Sequence, residues 1–448
     1  MRGRWFANVV LSLGALLSAT AALLAFPLAG STQSFSGRQG LFIVFLLAAA
    51  ALFLLGLRLP LEARISVAVT VLSILIGVYA IEAVLRLRIA SQVYLAARRL
   101  GNRYDSRSQL EVIRDLRRGG DEAMPVVFPA HVMRRGDLAF LPLGGISKVT
   151  TVHCNETGEY LVYRSDEHGF HNPGGLWERP EIDVALLGDS FAQGNCVGAD
   201  QDVASVIRRT FPATLSLGVE ANGPLLDLAG IEEYLPEVRP RQVVWLFYEG
   251  NDLVSDLDLE KASSILPRYL DPGFRQDLPR RQVEIDAFWR GVVQQSLDSK
   301  GDEMIQQRWE ENMLQGWLRL RTFRQSVGLQ LAARQPDFSK VDYPLFRRIL
   351  SEARDTVSGW GGTLTFAYLP SETSFVDRRF ARANEPVREK ILQMVSQLGI
   401  PLIDLRPLFE HEKERDSLYA FRGAHLSPKG YEKVGLAISQ ALKERRSR

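Results

Sequence analysis

Cysteine is scarce in this chain, since Cys154 and Cys196 are the only two among its 448 residues. They do not form a C-x-x-C pair, which argues against a zinc ribbon or a thioredoxin-like redox site. In an exported domain two cysteines can form a single disulfide. Spacing along the sequence does not fix the distance between two thiols, so a disulfide and two unpaired, partly buried thiols are equal alternatives.

A charge excess and nucleotide-binding motifs are also missing. The 54 Lys and Arg residues balance 52 Asp and Glu residues, giving a formal net charge of +2, so overall charge does not predict a nucleic-acid partner. The sequence has no G-x-x-x-x-G-K-[ST] run and no G-x-G-x-x-G after a predicted strand. His168 and His171 lie close together without a clear third ligand, which favours turn hydrogen bonding over metal binding. We expect neither a cofactor nor a metal ion.

Long apolar stretches are confined to the first ninety residues. They cover residues 5–28, 41–57 and 65–85, and the third carries a single charge, Glu82, near its end. Each is long enough to cross a hydrocarbon core of about 30 Å, and none shows the polar face of a buried soluble helix. The sequence therefore predicts a membrane region over residues 1–88 with three transmembrane helices. A cleaved signal peptide is the alternative for the first stretch.

The short loops predict the orientation of these helices. Lys and Arg concentrate in cytoplasmic loops, and the loop at residues 31–40 has only Arg38. The other positive charges flank the first stretch or lie between the second and third: Arg2, Arg4, Arg58 and Arg64. We therefore expect a multi-pass protein of the plasma membrane, in contact with the lipid bilayer, whose C-terminal part lies outside. Four arginines just after the third stretch oppose this orientation: Arg86, Arg88, Arg98 and Arg99.

Beyond a basic juxtamembrane connector, residues 89–165, the pattern is that of an α/β domain over residues 166–448. Short apolar runs at 182–187, 213–217, 242–248, 363–368 and 401–404 predict strands. Helical patterns follow them at 203–210, 225–235, 386–398 and 428–445. Strands alternating with helices favour a parallel sheet buried on both faces. Residues 253–358 interrupt the alternation and predict a helical insertion, with helical spacing around 282–297 and 304–334.

Polar motifs follow three of the predicted strands, where ligand sites of open α/β sheets lie. Ser190 is the candidate nucleophile and His425, just before the last helix, its general base. A tetrahedral oxyanion needs preorganised donors. The candidates are the backbone N–H of Ser190, the backbone of the turn at Gly218 and Ala221, and the Asn251 amide. Asp189, Gly250 and Asp252 complete the motifs as supporting residues.

Each motif alone is more simply explained as a turn or a helix cap. Their order, with each motif at a strand end or before a helix, favours a shared site. Residues 183–442 resemble the SGNH/GDSL hydrolase superfamily, whose G-D-S, glycine, G-x-N-D and terminal histidine blocks have counterparts here. These are Gly188-Asp189-Ser190, the turn from Gly218 to Gly223, Gly250-Asn251-Asp252, and His425.

The resemblance implies a flavodoxin-like, SGNH-type fold and a Ser190 acyl intermediate. The stretch from Ser165 to Phe170, together with the apolar helices, resembles a bacterial membrane-anchored branch of the superfamily. That branch implies a periplasmic domain acting on acyl groups, above all acetyl, of cell-envelope or secreted polysaccharide. Implied partners are an acylated glycan or small ester and other envelope polysaccharide proteins. Hydrolysis and acyl transfer both remain open, because they differ only in the acceptor.

Three positions depart from the family pattern. Arg422 stands where the family has the aspartate that supports the histidine; in serine proteases, loss of that aspartate's charge costs about 10⁴ in rate. Three alternatives follow: Asp416, Glu410 or a backbone carbonyl replaces the aspartate, a Ser190–His425 dyad works more slowly, or activity is lost. Ala221 stands at the expected oxyanion glycine, and its backbone N–H survives provided that φ stays negative. Gly250 directly precedes Asn251, which we treat as a local variant.

Two alternative functions follow from the same residues. The missing aspartate favours a catalytically impaired protein that binds glycan or organises a membrane assembly. A transporter is disfavoured, because Glu82 alone offers little to line a pathway. Asn155-Glu156-Thr157 matches a glycosylation sequon, to which we assign no role, because the resemblance is to a bacterial branch.

Overall fold

The computed structural model describes residues 2–25, 37–298 and 338–446. The chain divides into two compact units, one up to Arg88 and one from Ile89 onward.

The first unit consists of helices that pack through small residues. Helix α1 covers Arg2–Ala25, α2 covers Gly37–Gly56, and α3 begins in this unit and covers Leu61–Leu100. A Cβ on Gly14 would lie 2.9 Å from the Phe53 ring, so the helices approach closely where glycine stands.

Among the described residues, one helical segment is long and apolar enough to cross a membrane, Leu61–Leu85. The three predicted apolar stretches are helical where they are described, but three crossings are not established. The end of the first stretch, beyond residue 25, and most of the following loop lie outside the described residues.

The connector forms a small folded layer at the start of the second unit. Helix α4 covers Gln109–Arg118 and begins with a capping box between Ser108 and Glu111. Strand β1 (Ala123–Pro125) runs parallel to β2 (Thr150–Val152), which pairs antiparallel with β3 (Val162–Arg164).

The main sheet has five parallel strands in the order β5-β4-β6-β7-β8. They cover Val184–Gly188 (β4), Thr214–Ser216 (β5), Gln242–Tyr248 (β6), Thr363–Leu369 (β7) and Leu402–Asp404 (β8). The predicted parallel α/β domain is confirmed.

Successive residues of the central strand β6 contribute to two different cores. Val243, Trp245 and Phe247 belong to one hydrophobic cluster, and Val244 and Leu246 to the other. Side chains alternate between the faces of a strand, so the sheet is buried on both sides, as its apolar strands predict.

Helices cover both faces of the sheet and fill its connections. They are α5 (Ser190–Gln193), α6 (Val203–Arg208), α7 (Pro224–Val238), α8 (Leu257–Glu260), α9 (Gln282–Asp298), α10 (Tyr343–Gly359), α11 (Thr373–Val376), α12 (Arg378–Gln397), α13 (Arg406–Glu410) and α14 (Pro428–Arg446). Shorter 3-10 turns occur at Pro129–His131, Leu266–Leu270, Leu278–Arg281, Phe338–Lys340 and Arg415–Leu418, and a π-helical turn at Asp252–Asp256.

Two sequence expectations need comment here. Helix α9 matches the predicted helical segment at 282–297, whereas the segment at 304–334 lies outside the described residues. The predicted start of a helix at Pro386 is wrong, because α12 begins at Arg378 and contains Pro386 in its interior. Asp377 caps this earlier start by accepting the N–H groups of Arg379 and Phe380.

Candidate active site

The nucleophile candidate lies in the tight turn between β4 and α5. Gly188 ends the strand at φ +136°, and a Cβ there would lie 2.4 Å from the Leu246 carbonyl oxygen, so only glycine fits. Asp189 caps α5 by accepting the Phe191 N–H at 2.9 Å. This turn places Ser190, the first residue of α5, at the carboxyl end of the sheet with 7% of its surface exposed.

His425 lies against Ser190 although the two are 235 residues apart. Its Nε2 is 3.0 Å from the Ser190 Oγ. The segment around the histidine is fixed on both sides. An isolated antiparallel β-bridge joins Tyr419 to Leu426, and helix α14 begins shortly after His425. The imidazole ring also lies 5.2 Å from the Phe191 ring, which limits its freedom to rotate.

The imidazole is supported by Glu156, a carboxylate that was not predicted to belong to the site. Both carboxylate oxygens of Glu156 lie 3.1 Å from His425 Nδ1, and one of them accepts the His425 backbone N–H at 2.8 Å. With a proton on Nδ1 shared with Glu156, the Nε2 lone pair faces the Ser190 hydroxyl. Ser190, His425 and Glu156 thus form a continuous hydrogen-bonded chain.

The expected replacements for the missing aspartate are wrong. The Glu410 carboxylate accepts a hydrogen bond from Arg406 at 2.8 Å, and Asp416 is exposed on the surface. Arg422, at the family's aspartate position, is also exposed. The supporting carboxylate comes from a distant loop rather than from the segment around the histidine.

The two cysteines explain how Glu156 reaches the site. Cys154 and Cys196 form a disulfide, so the alternative of two unpaired thiols is wrong. Cys196 follows α5 closely in sequence, and its sulfur lies 3.9 Å from His425 Nδ1. The disulfide therefore ties the loop that carries Glu156 to the nucleophile segment. Pairing the cysteines at the outset would have drawn attention to Glu156.

Glu156, Cys196 and His425 also bring three ligand-type atoms within 4.8 Å of one another. The Cys196 sulfur is bonded to Cys154 and cannot act as a thiolate. The cluster therefore fits acid–base chemistry better than metal binding.

The charges around the imidazole set its proton affinity. Burial lowers the pKa of His425, but the charge and the hydrogen bond of Glu156 act in the opposite direction, and the pKa lies above its ordinary value. Glu220 and Asp189 add to this rise. Burial raises the pKa of Asp189 to about 6, opposed by the Phe191 N–H, His425 and the Asn251 amide. The imidazole is thereby a stronger base than a free histidine.

The glycine block packs against α5. A Cβ on Gly218 would lie 2.5 Å from backbone atoms of Ala192 and Gln193, so the turn tolerates only glycine there. The Gly218 N–H points to Ser216 Oγ at a long 3.4 Å, and the Glu220 N–H donates to Gln193 Oε1 at 2.7 Å. Gly218 therefore positions the turn, and its N–H already has a partner.

Ala221 does not meet the expected condition of a negative φ. Its φ is +62°, in the left-handed region that costs a residue with a Cβ roughly 1–2 kcal/mol. Within the described residues, its N–H makes no backbone or side-chain hydrogen bond. The Ser190 N–H, at the start of α5, likewise has no intrahelical acceptor. Both N–H groups are therefore candidate donors to an oxyanion, as is the weakly bonded N–H of Gly218.

The third block follows β6. A Cβ on Gly250 would lie 2.4 Å from the Tyr248 ring, so a side chain has no room there. Asp252 accepts the Tyr248 N–H at 3.0 Å, and burial raises the pKa of Asp252 well above its ordinary value. The Asn251 amide lies close enough to Asp189 to lower the pKa of that carboxyl. The block thus brings Asn251 to the nucleophile turn.

A buried carboxylate holds this block in place. Glu249 accepts hydrogen bonds from the Ser371 N–H at 2.8 Å and the Asn384 amide at 2.9 Å. The hydroxyls of Tyr368 and Ser374 also donate to it. The end of β6 is therefore fastened to the end of β7 beside the site.

The upstream histidines are engaged in packing and hydrogen bonding. His171 Nδ1 lies 3.0 Å from the Gln193 carbonyl oxygen, and the His168 ring packs edge-on against Trp177 at 4.8 Å. The buried Asp166 organises this segment by accepting the backbone N–H groups of His168 and Phe170.

One family model matches the sequence, that of the GDSL-like lipase/acylhydrolase family, over residues 186–433. This range contains Ser190, Asn251 and His425 but not Glu156. No curated protein matches the sequence.

Two solved structures are among those similar to this chain. A lipase/acylhydrolase from Enterococcus faecalis is 15% identical, with 59% of this chain and 96% of that chain covered and a TM-score of 0.34. A member of the lipolytic protein G-D-S-L family from Veillonella parvula DSM 2008 is 12% identical, with 58% and 98% covered and a TM-score of 0.32. At these TM-scores the likeness supports no conclusion about the site.

Proposed function

The chain belongs to the GDSL-like lipase/acylhydrolase family, and from that premise we propose that it hydrolyses or transfers acyl esters through an acyl-enzyme on Ser190. The observation that carries the proposal is the hydrogen-bonded chain from Ser190 Oγ to His425 and on to Glu156. A serine, a base and a group that orients the base are the parts that nucleophilic acyl transfer requires.

The proposed reaction begins when His425 Nε2 takes the hydroxyl proton as Ser190 Oγ attacks the ester carbonyl. Glu156 stabilises the imidazolium that forms. The Ser190 and Ala221 N–H groups and the Asn251 amide stabilise the tetrahedral oxyanion. Collapse of the intermediate expels the alcohol, which takes its proton from His425, and leaves Ser190 acylated. Water or a sugar hydroxyl then attacks the acyl carbonyl while His425 takes its proton. The bond to Ser190 Oγ breaks, Ser190 takes the proton back from His425, and the acid or the new ester leaves.

We propose acetyl groups on cell-envelope or secreted polysaccharide as the substrate. The resemblance to the bacterial membrane-anchored branch of the superfamily supports this choice. The expected partners are the acylated glycan and other polysaccharide proteins of the envelope. Water as acceptor gives an esterase, and a sugar hydroxyl gives an O-acetyltransferase.

We further propose that α1, α2 and α3 all cross the plasma membrane and that the α/β domain lies outside. The surface of the first unit is apolar: Leu16, Leu17, Leu52 and Ile76 are each more than 60% exposed. Such a surface is unfavourable in water and suits a lipid environment. The Cys154–Cys196 disulfide agrees with an oxidising compartment outside the cytoplasm.

A catalytically impaired protein remains the second candidate, because Arg422 replaces the family's aspartate. Glu156 weakens that argument, since a carboxylate already lies at His425 Nδ1. The enzyme therefore has the better support.

Product analysis tests the proposal. The detergent-solubilised chain is incubated with an acetyl ester, with and without an oligosaccharide acceptor, beside a Ser190→Ala variant. We expect acetate or acetylated oligosaccharide from the parent and neither from the variant. Equal turnover by parent and variant would contradict the proposal. The ratio of the two products separates an esterase from a transferase.

A further inference from the structure

The loop that carries Glu156 is held by the end of helix α3 as well as by the disulfide. The Asn102 side-chain amide donates to the Thr157 carbonyl oxygen at 3.0 Å, and the Asp105 N–H donates to the Gly158 carbonyl oxygen at 2.7 Å. A Cβ on Gly158 would lie 2.2 Å from the Ala97 Cβ, so the loop lies directly on the helix. Both residues that follow Glu156 are therefore fixed by α3 and the segment after it.

The same end of α3 also holds the segment that leads to His425. The Arg99 guanidinium donates to the carbonyl oxygens of Tyr419, at 2.7 Å, and Ala420. The Ala420 N–H in turn donates to the His425 carbonyl oxygen at 3.0 Å. Arg99 is thus linked to the residue that carries the imidazole through a single intervening residue, Ala420.

Glu156 and His425 come from loops far apart in sequence. Arg99, in the last turn of α3, contacts the segment before His425, and Asn102, just after α3, contacts the loop that carries Glu156. The planar guanidinium of Arg99 presents several donors in a fixed arrangement, which suits two neighbouring carbonyl oxygens. Residues 97–102 lie before the range matched by the family model, 186–433. These contacts therefore stabilise the site through residues that lie outside the matched family domain.

We propose that Arg99 and Asn102 are positioning residues that hold Glu156 against His425, so that the end of α3 sets the geometry of the catalytic base. The inference rests on the proposed function of Ser190 and His425. Helix α3 is also the helix that contains the apolar segment Leu61–Leu85. The segment proposed to anchor the chain and the positioning residue Arg99 thus lie on one continuous helix.

The proposal predicts that the pKa of His425 falls when the two loops are released. The charged groups that act on this imidazole are Glu156, Glu220 and Asp189, and all three raise its pKa. If Arg99→Gln releases the loops, the influence of Glu156 weakens and the pKa of His425 falls. Removing a nearby positive charge without moving the loops would act in the opposite direction and raise the pKa.

The test measures this pKa directly in the full chain by NMR with ¹³C-labelled histidine. The chain has only six histidines, and His425→Gln identifies the resonance that belongs to His425. Arg99→Gln and Asn102→Ala are compared with Arg98→Gln. Arg98 is a matched control because it is the exposed neighbour of Arg99 on the same helix and, within the described residues, makes no hydrogen bond to either loop. We expect both test variants to lower the pKa of His425 and the control to leave it unchanged.

Kinetics of ester hydrolysis give the second readout. We expect kcat to fall by about tenfold to a hundredfold in both test variants, because displacing a catalytic group by 1 Å has a cost of that order. KM should stay the same, and the acidic limb of the pH profile should move to lower pH. An unchanged limb and an unchanged pKa of His425 would overturn the inference, as would an equal effect of Arg98→Gln.

Failure of the proposed function and failure of this inference give different results. If the parent shows no turnover that depends on Ser190, the proposed function fails, whatever the NMR titration shows. If the parent is active but the Arg99 and Asn102 variants keep the parental pKa of His425, only the inference fails. Asn102→Ala removes a single side-chain hydrogen bond, so it keeps the test valid if Arg99→Gln does not fold.

Discussion

Replacing Glu156 by glutamine removes the charge beside His425 while keeping the size of the side chain. In the structure both Glu156 oxygens face His425 Nδ1 at 3.1 Å. A glutamine can present its NH₂ group to Nδ1, which then acts as an acceptor and moves the imidazole proton to Nε2. An Nε2 that carries the proton faces Ser190 and cannot accept the hydroxyl proton.

The expected loss follows from this change of tautomer. The equivalent replacement in the serine-protease triad lowers kcat by about 10⁴. In Glu156→Gln the remaining oxygen can still accept the His425 backbone N–H, which Glu156 binds at 2.8 Å. We therefore expect kcat for an acetyl ester to fall by about 10²–10⁴ with little change in KM.

The pH dependence of kcat gives a second, independent test of Glu156. Glu156 is the main group that raises the pKa of His425 against the effect of burial. Because catalysis needs the neutral imidazole, activity rises with pH through this pKa. Glu156→Gln should therefore move the acidic limb to lower pH while the plateau falls. Steady-state kinetics over the acidic and neutral range measure both effects.

Glu159→Gln is the matched control, because Glu159 lies on the exposed surface of the same loop. We expect it to keep the parental kcat and pH profile. Parental kcat in Glu156→Gln would refute the assignment of Glu156, and so would an equal loss in both variants.

Three further changes test other parts of the site. Asn251→Ala should lower kcat about 10²–10³-fold in ester hydrolysis if its amide is an oxyanion donor, and an unchanged kcat would exclude that role. Reducing the Cys154–Cys196 disulfide should lower kcat at least about tenfold, because the loop that carries Glu156 loses its tie to the nucleophile segment; activity assays with and without reductant compare the two forms, and equal rates would contradict the role of the disulfide. Ala221→Gly should raise the free energy of unfolding by about 1 kcal/mol, because glycine adopts a φ of +62° without the cost of a Cβ; denaturant melts measure this, and a lower stability would show that the turn is not strained.

The sheet could be predicted well because its strands carry local signals. Strand β6 was expected at residues 242–248 and covers Gln242–Tyr248, since an apolar run between polar residues suits a strand buried on both faces. Helix α12 was misplaced because Pro386 resembles a first helical residue, whereas the cap at Asp377 starts the helix earlier. Two local signals compete here, and the helix starts at the cap rather than at the proline.

The site was only partly predictable, because its parts depend on contacts between distant loops. Ser190 and His425 stand in recognisable positions next to predicted strands and helices. Glu156 does not, because nothing in its neighbourhood indicates chemistry unless Cys154 is known to pair with Cys196. The positive φ of Ala221 was equally hidden, since backbone angles in a turn follow from the packing around it.

The central claim is that Ser190 is an activated nucleophile in a site shared with His425 and Glu156. A fluorophosphonate probe reacts with an activated serine and forms a covalent bond whose position peptide mass spectrometry identifies. The account predicts a single modified serine, Ser190, with labelling abolished in Ser190→Ala and strongly slowed in His425→Gln and Glu156→Gln. Failure of the folded parent to react, or equal labelling of Ser190→Ala, would contradict it.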